Sequence, residues 1–364
     1  MTVLAAGPTL SKTGSIPRRA LGRSGVELTE LGFGGATIGR TPGAQADDHA
    51  HATLEACWQL GVRYFDTAPW YGRGLSELRV GRLLRNRPRD EFVLSTKVGR
   101  ILRSPGDPTA TAAVSTGLPM DVLFDYSYDG IHRAYEDSLQ RLGLARVDLA
   151  IVHDLDLGYH APQVRWDAYA AQLITGGWRA LQELRSAGLI RGIGIGINPL
   201  GMIPRFLEMF DDIDFFLLAG RYTLMEQGAL DVELPACAER GVSIVIGAVF
   251  NSGILATGPV AAARYNYREA TPEALHKVAR IKAICDRYRV PLAAAALQFP
   301  LAHPAVVSVI PGPMRPEEAR LNAQAYHHPI SLDLWRELKA EGLLREDAPT
   351  PDQQADRNAV EARS

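Results

Sequence analysis

GFGGATIGRTPGAQADD, residues 32–48, is the stretch that separates two architectures. A glycine run leading straight into a helix would aim backbone N–H groups and a positive helix end at a pyrophosphate, as in doubly wound dinucleotide-binding folds. Asp66, closing the next strand-like run, would suit the ribose in such a fold. Here, however, TPGAQADD intervenes before any helical pattern begins, so no helix end stands behind the glycines. A second glycine run, GIGIG at 192–196, has the wrong spacing too. The first glycines are therefore read as a strand and its turn.

Outward from that stretch, eight short apolar or β-branched runs read as strands: ELGFGG, VRYFDTA, EFVLSTK, VDLAIVH, IRGIGIGI, DFFLLAG, VSIVIGA and AVVSVIP. Between them lie segments with helical spacing, among them AHATLEACWQLG, LSELRVGRLLR, GIHRAYEDSLQRLG, GWRALQELRSAG and LDVELPACAERG, several closing on a helix-ending glycine. Apolar strands alternating with helices imply an α/β fold with a parallel sheet, and eight such units imply a closed (β/α)8 TIM barrel. RRALGRSGVELTELG carries strand-like residues on both sides of Ser24-Gly25, which predicts a hairpin placed to plug the barrel bottom. Long connections at 98–127 and 251–270 are candidate functional loops. The expected organisation is one domain over residues 18–342, with residues 1–17 and 343–364 loosely ordered.

The chain has 364 residues, 46% of them apolar and 22% charged, with a formal net charge of −2. That balance supplies no basic field for nucleic acid or anionic lipid, so neither nucleic acid nor membrane is an expected partner, and a small molecule is. The most apolar late stretch is broken by Gln298, Pro300, His303 and Pro304, which argues against a membrane span. Cys57, Cys237 and Cys285 are too few and too scattered for a disulfide framework or a CxxC site. With no basic leader or secretory apolar segment in MTVLAAGPTLSKTG, a cytoplasmic location is expected. Oligomeric state is not legible.

In a barrel, residues at the C-terminal ends of strands converge on one face. Asp66 ends the second strand, Tyr71 follows in its loop, Lys97 ends the third and His153 the fourth. Each alone has a plain explanation: a helix cap, a rim aromatic, a snorkelling lysine, a core histidine. Together they have a chemistry. An ammonium near a phenol favours the phenolate, a carboxylate orients the ammonium, and an imidazole hydrogen-bonds the reacting oxygen. The set suits proton transfer at a carbonyl or alcohol oxygen. A metal on His153, Asp154 and Asp156 is not expected, because neighbours on a strand point to opposite faces.

Asp66, Tyr71, Lys97 and His153, with the motif FDTAPWYG, resemble the catalytic tetrad of the aldo-keto reductase family in order and in placement. The likeness covers about residues 18–342. FDYSYDG, VHDLD, LLAGRYTLMEQGALD, NSGILATG and ALQFPLAHPAVVSVIPG are similar to its bacterial branch of aldose and pyridoxal dehydrogenases. The resemblance implies a nicotinamide-dependent oxidoreductase that oxidises a cyclic hemiacetal, an L-fucose-like aldose or pyridoxal, to a lactone. The alternatives are an NADPH-dependent reductase of an aldehyde or ketone and a cofactor-binding sensor without turnover.

The same resemblance implies cofactor contacts at Gly34 and Gly35, at Asn198, at Phe250, Asn251, Ser252, Gly253 and Leu255, and at Gly312, Met314, Arg315, Glu318 and Asn322. Gly312 and Glu318 stand where NADP-preferring members often carry basic groups, so NAD is the expected cofactor, with Arg315 and Arg320 keeping NADP open. The sequence departs from the family pattern after the fifth strand, where Gly196-Ile197 precede Asn198, and near Gly247, where an aromatic is missing. Substrate contacts are expected from Trp70 and from Asp125, Tyr126 and Tyr128 in the long third connection.

Overall fold

The computed structural model describes residues 15–40, 43–106 and 117–351. Eight parallel strands run in sequence order around a barrel: β1 (Phe33–Gly34), β2 (Tyr64–Asp66), β3 (Val93–Val98), β4 (Leu149–His153), β5 (Gly192–Ile197), β6 (Phe215–Ala219), β7 (Ser243–Gly247) and β8 (Val306–Ile310). Closure is made beside the shortest strand. Leu31 bridges Val309 in parallel, and the N–H groups of Gly32 and Gly34 donate to the carbonyls of Val309 and Pro311. Helices follow the strands and form the outer layer, among them Ala44–Gln59, Leu75–Leu84, Tyr128–Leu142, Trp178–Ser186 and Pro316–Tyr326.

The two-residue period of each strand sorts its side chains. Phe65 on β2, Leu94 and Val98 on β3, and Ala150 and Val152 on β4 face the helices and join the large outer core. Tyr64, Val93, Leu149 and Ile151 face the barrel interior instead. The interior set continues upward at Asp66, Ser95, Lys97 and His153, the next positions of the same parity. The bottom is plugged as expected: Arg18–Ala20 pairs antiparallel with Glu27–Thr29, and Leu21, Val26 and Leu28 pack beneath the interior residues.

Both long connections hold structure that the pattern did not reveal. Arg100–Arg103 pairs with Asp121–Phe124, and Arg264–Tyr265 pairs with Arg268–Glu269, so each connection raises a small hairpin over the barrel mouth. Residues 107–116 lie outside the described set. Packing also extends past the expected boundary at 342. Leu343, Leu344 and Ala348 are buried in the outer core, because their apolar side chains follow directly on helix Leu332–Ala340.

Gly34 and Gly35, expected to touch cofactor, have another task. A Cβ on Gly34 would lie 2.7 Å from the Ile310 carbonyl oxygen, and one on Gly35 would lie 2.7 Å from that of Asp66. Their N–H groups are already given to Pro311 and Asp66. These glycines let β1 approach both of its neighbours. Gly34→Ala should therefore destabilise the barrel by about 1–3 kcal/mol in thermal or denaturant unfolding; unchanged stability with weakened cofactor binding would return Gly34 to the cofactor.

Candidate active site

At the C-terminal mouth of the barrel is a cleft of about 390 Å³ lined by Tyr71, Lys97 and His153, together with Ala36, Arg40, Trp70, Arg73, Asp154, Tyr159, Asn198 and Tyr267. Small residues, Gly196 and Ala219, form part of its floor with Ile197 and Leu217. A larger cleft of about 650 Å³ opens at the opposite end beside the hairpin, but its Arg89 is tied to Asp148 and its Arg191 to the Gly25 carbonyl. The proton-transfer groups meet only in the first.

Asp66 and Lys97 are buried with 2.7 Å between Oδ2 and Nζ. Lys97 Nζ also donates to the Thr67 carbonyl at 3.0 Å, and the Ser95 hydroxyl donates to Asp66 Oδ1 at 2.7 Å. Burial works against both charges, raising the Asp66 carboxyl and lowering the Lys97 ammonium, while each partner favours the ionised form of the other. Tyr71 is brought over this pair by a tight loop. Gly72 has φ +65°, and a Cβ on it would overlap the Gly39 carbonyl, so the loop closes against the segment after β1 only because a glycine stands there. The Tyr71 ring then lies 4.5 Å from Lys97 Nζ, measured to its centroid, and meets the His153 ring edge-on at 5.8 Å.

One electrostatic expectation is overturned. Lys97 was to lower the Tyr71 phenol, yet burial pushes that phenol well above its ordinary value, and the carboxylates of Asp66 and Asp154 push it further. The ammonium sits over the ring face and is committed to Asp66. Tyr71 therefore rests as a neutral phenol. His153 is held neutral as well: burial, then the cations Arg100 and Lys97, lower its imidazole well below the usual range.

A second correction concerns His153 and Asp154. Alternation along a strand was to keep them apart, but β4 ends at His153 and Asp154 turns with φ +44°, so Asp154 Oδ2 lies 3.3 Å from His153 Nε2. Arg100 Nη2 donates to that carboxylate at 2.6 Å. Among the described residues no group of three or more histidine, cysteine or acidic side chains is arranged to hold a metal.

Of the expected substrate contacts, Trp70 lines the cleft and the other three do not. Tyr126 is fully buried, its hydroxyl donating to the His153 carbonyl at 2.7 Å. Asp125 accepts from the Ser127 N–H and hydroxyl and anchors the following helix. Tyr128 donates to Glu183 at 2.6 Å on the outer layer. Arg40, Asp154, Tyr159 and Tyr267 line the cleft instead; they come from turns and, for Tyr159, a four-residue helix, Leu157–His160, whose course no periodicity encodes.

The expected cofactor segments flank the mouth. Asn198 lines the cleft and donates to Asp154 Oδ1 at 3.3 Å. In the loop after β7, Asn251 is buried and accepts from the Thr223 hydroxyl at 2.6 Å, Leu255 is buried, and Ser252 Oγ accepts from the Tyr267 N–H at 2.9 Å. Those bonds build the loop, with Phe250 packed on the core and Gly253 at φ +104°. After β8, Gly312 packs against Gly34 and Thr37, and Glu318 accepts from the Met314 N–H at 2.7 Å. Arg315 caps the helix that carries Glu318 and Asn322. A nicotinamide ring fits this donor set: a Cβ on Gly196 would fill floor space beside Lys97, and the Asn198 amide stands next to it.

Residues 30–341 match the model of the aldo/keto reductase family. The chain is 43% identical over 341 residues to a pyridoxal 4-dehydrogenase of Microbacterium luteolum, a match spanning 90% of this chain and 98% of that protein. It is 40% identical over 339 residues to a D-threo-aldose 1-dehydrogenase of a Pseudomonas species, spanning 91% and 98%. Among solved structures it is similar to the holo form of an aldo-keto reductase from Bacillus halodurans, with a TM-score of 0.71, 25% identity, and coverage of 93% and 99%. Its fold, its site and these relatives agree: the chain belongs to the aldo/keto reductase family and is an NAD(P)-dependent oxidoreductase.

Proposed function

We propose that the protein oxidises a cyclic hemiacetal, an L-fucose-like aldose or pyridoxal, to a lactone, with NAD as cofactor and Tyr71 as the proton acceptor. The observation that carries this reading is the meeting of Tyr71, Lys97 and His153 in one cleft above the buried Asp66–Lys97 pair. The named substrates of the two similar dehydrogenases support the hemiacetal, since an aldose and pyridoxal both close on an internal hydroxyl.

Bound nicotinamide supplies the hydride acceptor. The protein does the rest. Neutral His153 hydrogen-bonds the reacting hydroxyl without competing for its proton, and Tyr71 takes that proton in its phenolate form, after its own proton has gone to solvent, as the carbon–oxygen bond shortens. Lys97, fixed by Asp66, lies over the Tyr71 ring and steadies the phenolate. In the reverse direction the neutral phenol is already the acid, an observation that favours carbonyl reduction as the second reading. For the cofactor, the Glu318 carboxylate at the start of helix Pro316–Tyr326 disfavours a 2′-phosphate and so supports NAD. The three cysteines, all free and buried, are in keeping with a reducing, cytoplasmic setting.

Tyr71→Phe should bind reduced cofactor as the parent does while losing roughly 10²–10⁴-fold in kcat; a variant with parental kcat would remove Tyr71 from the mechanism. Because burial raises the phenol, its basic form becomes scarcer as pH falls. Oxidation kcat/KM should therefore rise with pH through the neutral range and on into the alkaline range, while reduction, which uses the acid form, stays nearly flat. An oxidation rate that levels off near pH 7 would assign the proton to another group. Glu318→Gln should improve NADP relative to NAD by several-fold in paired kinetic measurements; an unchanged ratio would place the choice elsewhere.

A further inference from the structure

Asp154 is not used by the proton transfer, yet it lines the cleft beside His153. Its backbone adopts φ +44°, a left-handed turn that aspartate enters more readily than most non-glycine residues. That turn sets its Oδ2 3.3 Å from His153 Nε2. Arg100 Nη2 and Asn198 Nδ2 each donate to the carboxylate, at 2.6 Å and 3.3 Å. Arg100 is itself 1% exposed and lies among the rings of Tyr159, Trp70 and Phe124, at 4.5, 4.8 and 5.2 Å from their centroids. Its Nε and Nη1 have no hydrogen-bond partner.

A buried ion pair of this kind adds little to stability that apolar residues would not supply. Its effect here is to hold one carboxylate at the reacting end of the cleft: burial raises that carboxyl to about 6 and Arg100 opposes the rise, so the ionised form predominates at neutral pH. A carboxylate accepts about four hydrogen bonds, and those from Arg100 and Asn198 leave acceptor sites open. Those sites border the cleft, with Trp70, Tyr159 and Tyr267 as walls for a ring.

We propose that Asp154, positioned by Arg100, selects substrates that carry a hydroxyl on the carbon next to the reacting one. The inference rests on the hemiacetal reading of the same site and narrows it to the aldose, since pyridoxal carries no hydroxyl on the carbon next to its reacting one. With the reacting oxygen on His153 Nε2, the oxygen of the adjacent carbon lies roughly one hydrogen-bond length away, about 3 Å. The spacing between His153 Nε2 and Asp154 Oδ2 matches that separation. A substrate without the second hydroxyl leaves the carboxylate facing an apolar carbon, and the loss is felt in kcat/KM.

The test compares an aldopyranose with its 2-deoxy analogue, using wild type, Asp154→Asn and Arg100→Lys, with reduced-cofactor binding followed by fluorescence. Wild type should favour the hydroxylated sugar by roughly ten- to a hundredfold in kcat/KM. Asp154→Asn should bring that ratio close to one through the hydroxylated sugar alone, with cofactor affinity unchanged and with a lower melting temperature, because Arg100 loses its counter-charge. Arg100→Lys, which keeps the charge and loses the planar fork, should reduce the ratio part of the way. A wild type without preference, or an Asp154→Asn variant that keeps it, overturns the inference while leaving the dehydrogenase reading intact. If wild type oxidises pyridoxal but neither sugar, the inference is overturned while the dehydrogenase reading stands; if it oxidises no hemiacetal at all, the reading fails and this inference with it. An unfolded Asp154→Asn leaves the decision to Arg100→Lys, where an unaltered ratio overturns the proposal.

Discussion

The Asp66–Lys97 ion pair is the interaction around which the mouth of the barrel is organised. Two opposite charges, each 2% exposed, face one another at 2.7 Å, and removing either would leave the other buried alone at a cost of about 3–5 kcal/mol. The barrel supports the pair from below. Tyr64 shares a hydrogen bond with Ser95, Ser95 donates to Asp66, and the Thr67 carbonyl receives Lys97. A polar column thus rises through an apolar interior, and strand parity decides which residues belong to it. Since β2 and β3 pair Tyr64 with Val93 and Asp66 with Ser95, a one-residue slip of either strand would turn its half of the pair into the helices.

The same constraint explains the resting state of Tyr71. The Lys97 ammonium is held by Asp66, and burial of the phenol, with the carboxylates of Asp66 and Asp154 beside it, outweighs that cation. A second pair, Arg100–Asp154, stands on the other side of His153. Burial first, and then the two cations, keep the imidazole neutral between them, so it serves as a hydrogen-bond partner and not as an acid.

Much of this was legible in the sequence, for a physical reason. Strand parity and strand ends are local properties, so Asp66, Lys97 and His153 could be placed at one mouth from their positions in VRYFDTA, EFVLSTK and AIVHD. The hairpin was legible because a turn dipeptide separates two strand-like runs. What stayed hidden depends on loops. Arg100 reaches Asp154 across 54 residues, and Tyr267 enters from a hairpin after β7. Tyr126 was misread because an aromatic near a barrel mouth looks the same in sequence whether its ring faces substrate or, as here, fills the space beside Gly99. Asp154 was misjudged because a strand rule was applied one residue beyond the strand's end.

The hairpin plug has a consequence for the barrel above it. Leu21, Val26 and Leu28 pack beneath Tyr64, Val93, Leu149 and Ile151, so the interior is filled from the bottom upward and the polar column ends at the mouth. The barrel is a solid pedestal, and its far end carries the chemistry only by keeping the strands in register beneath it.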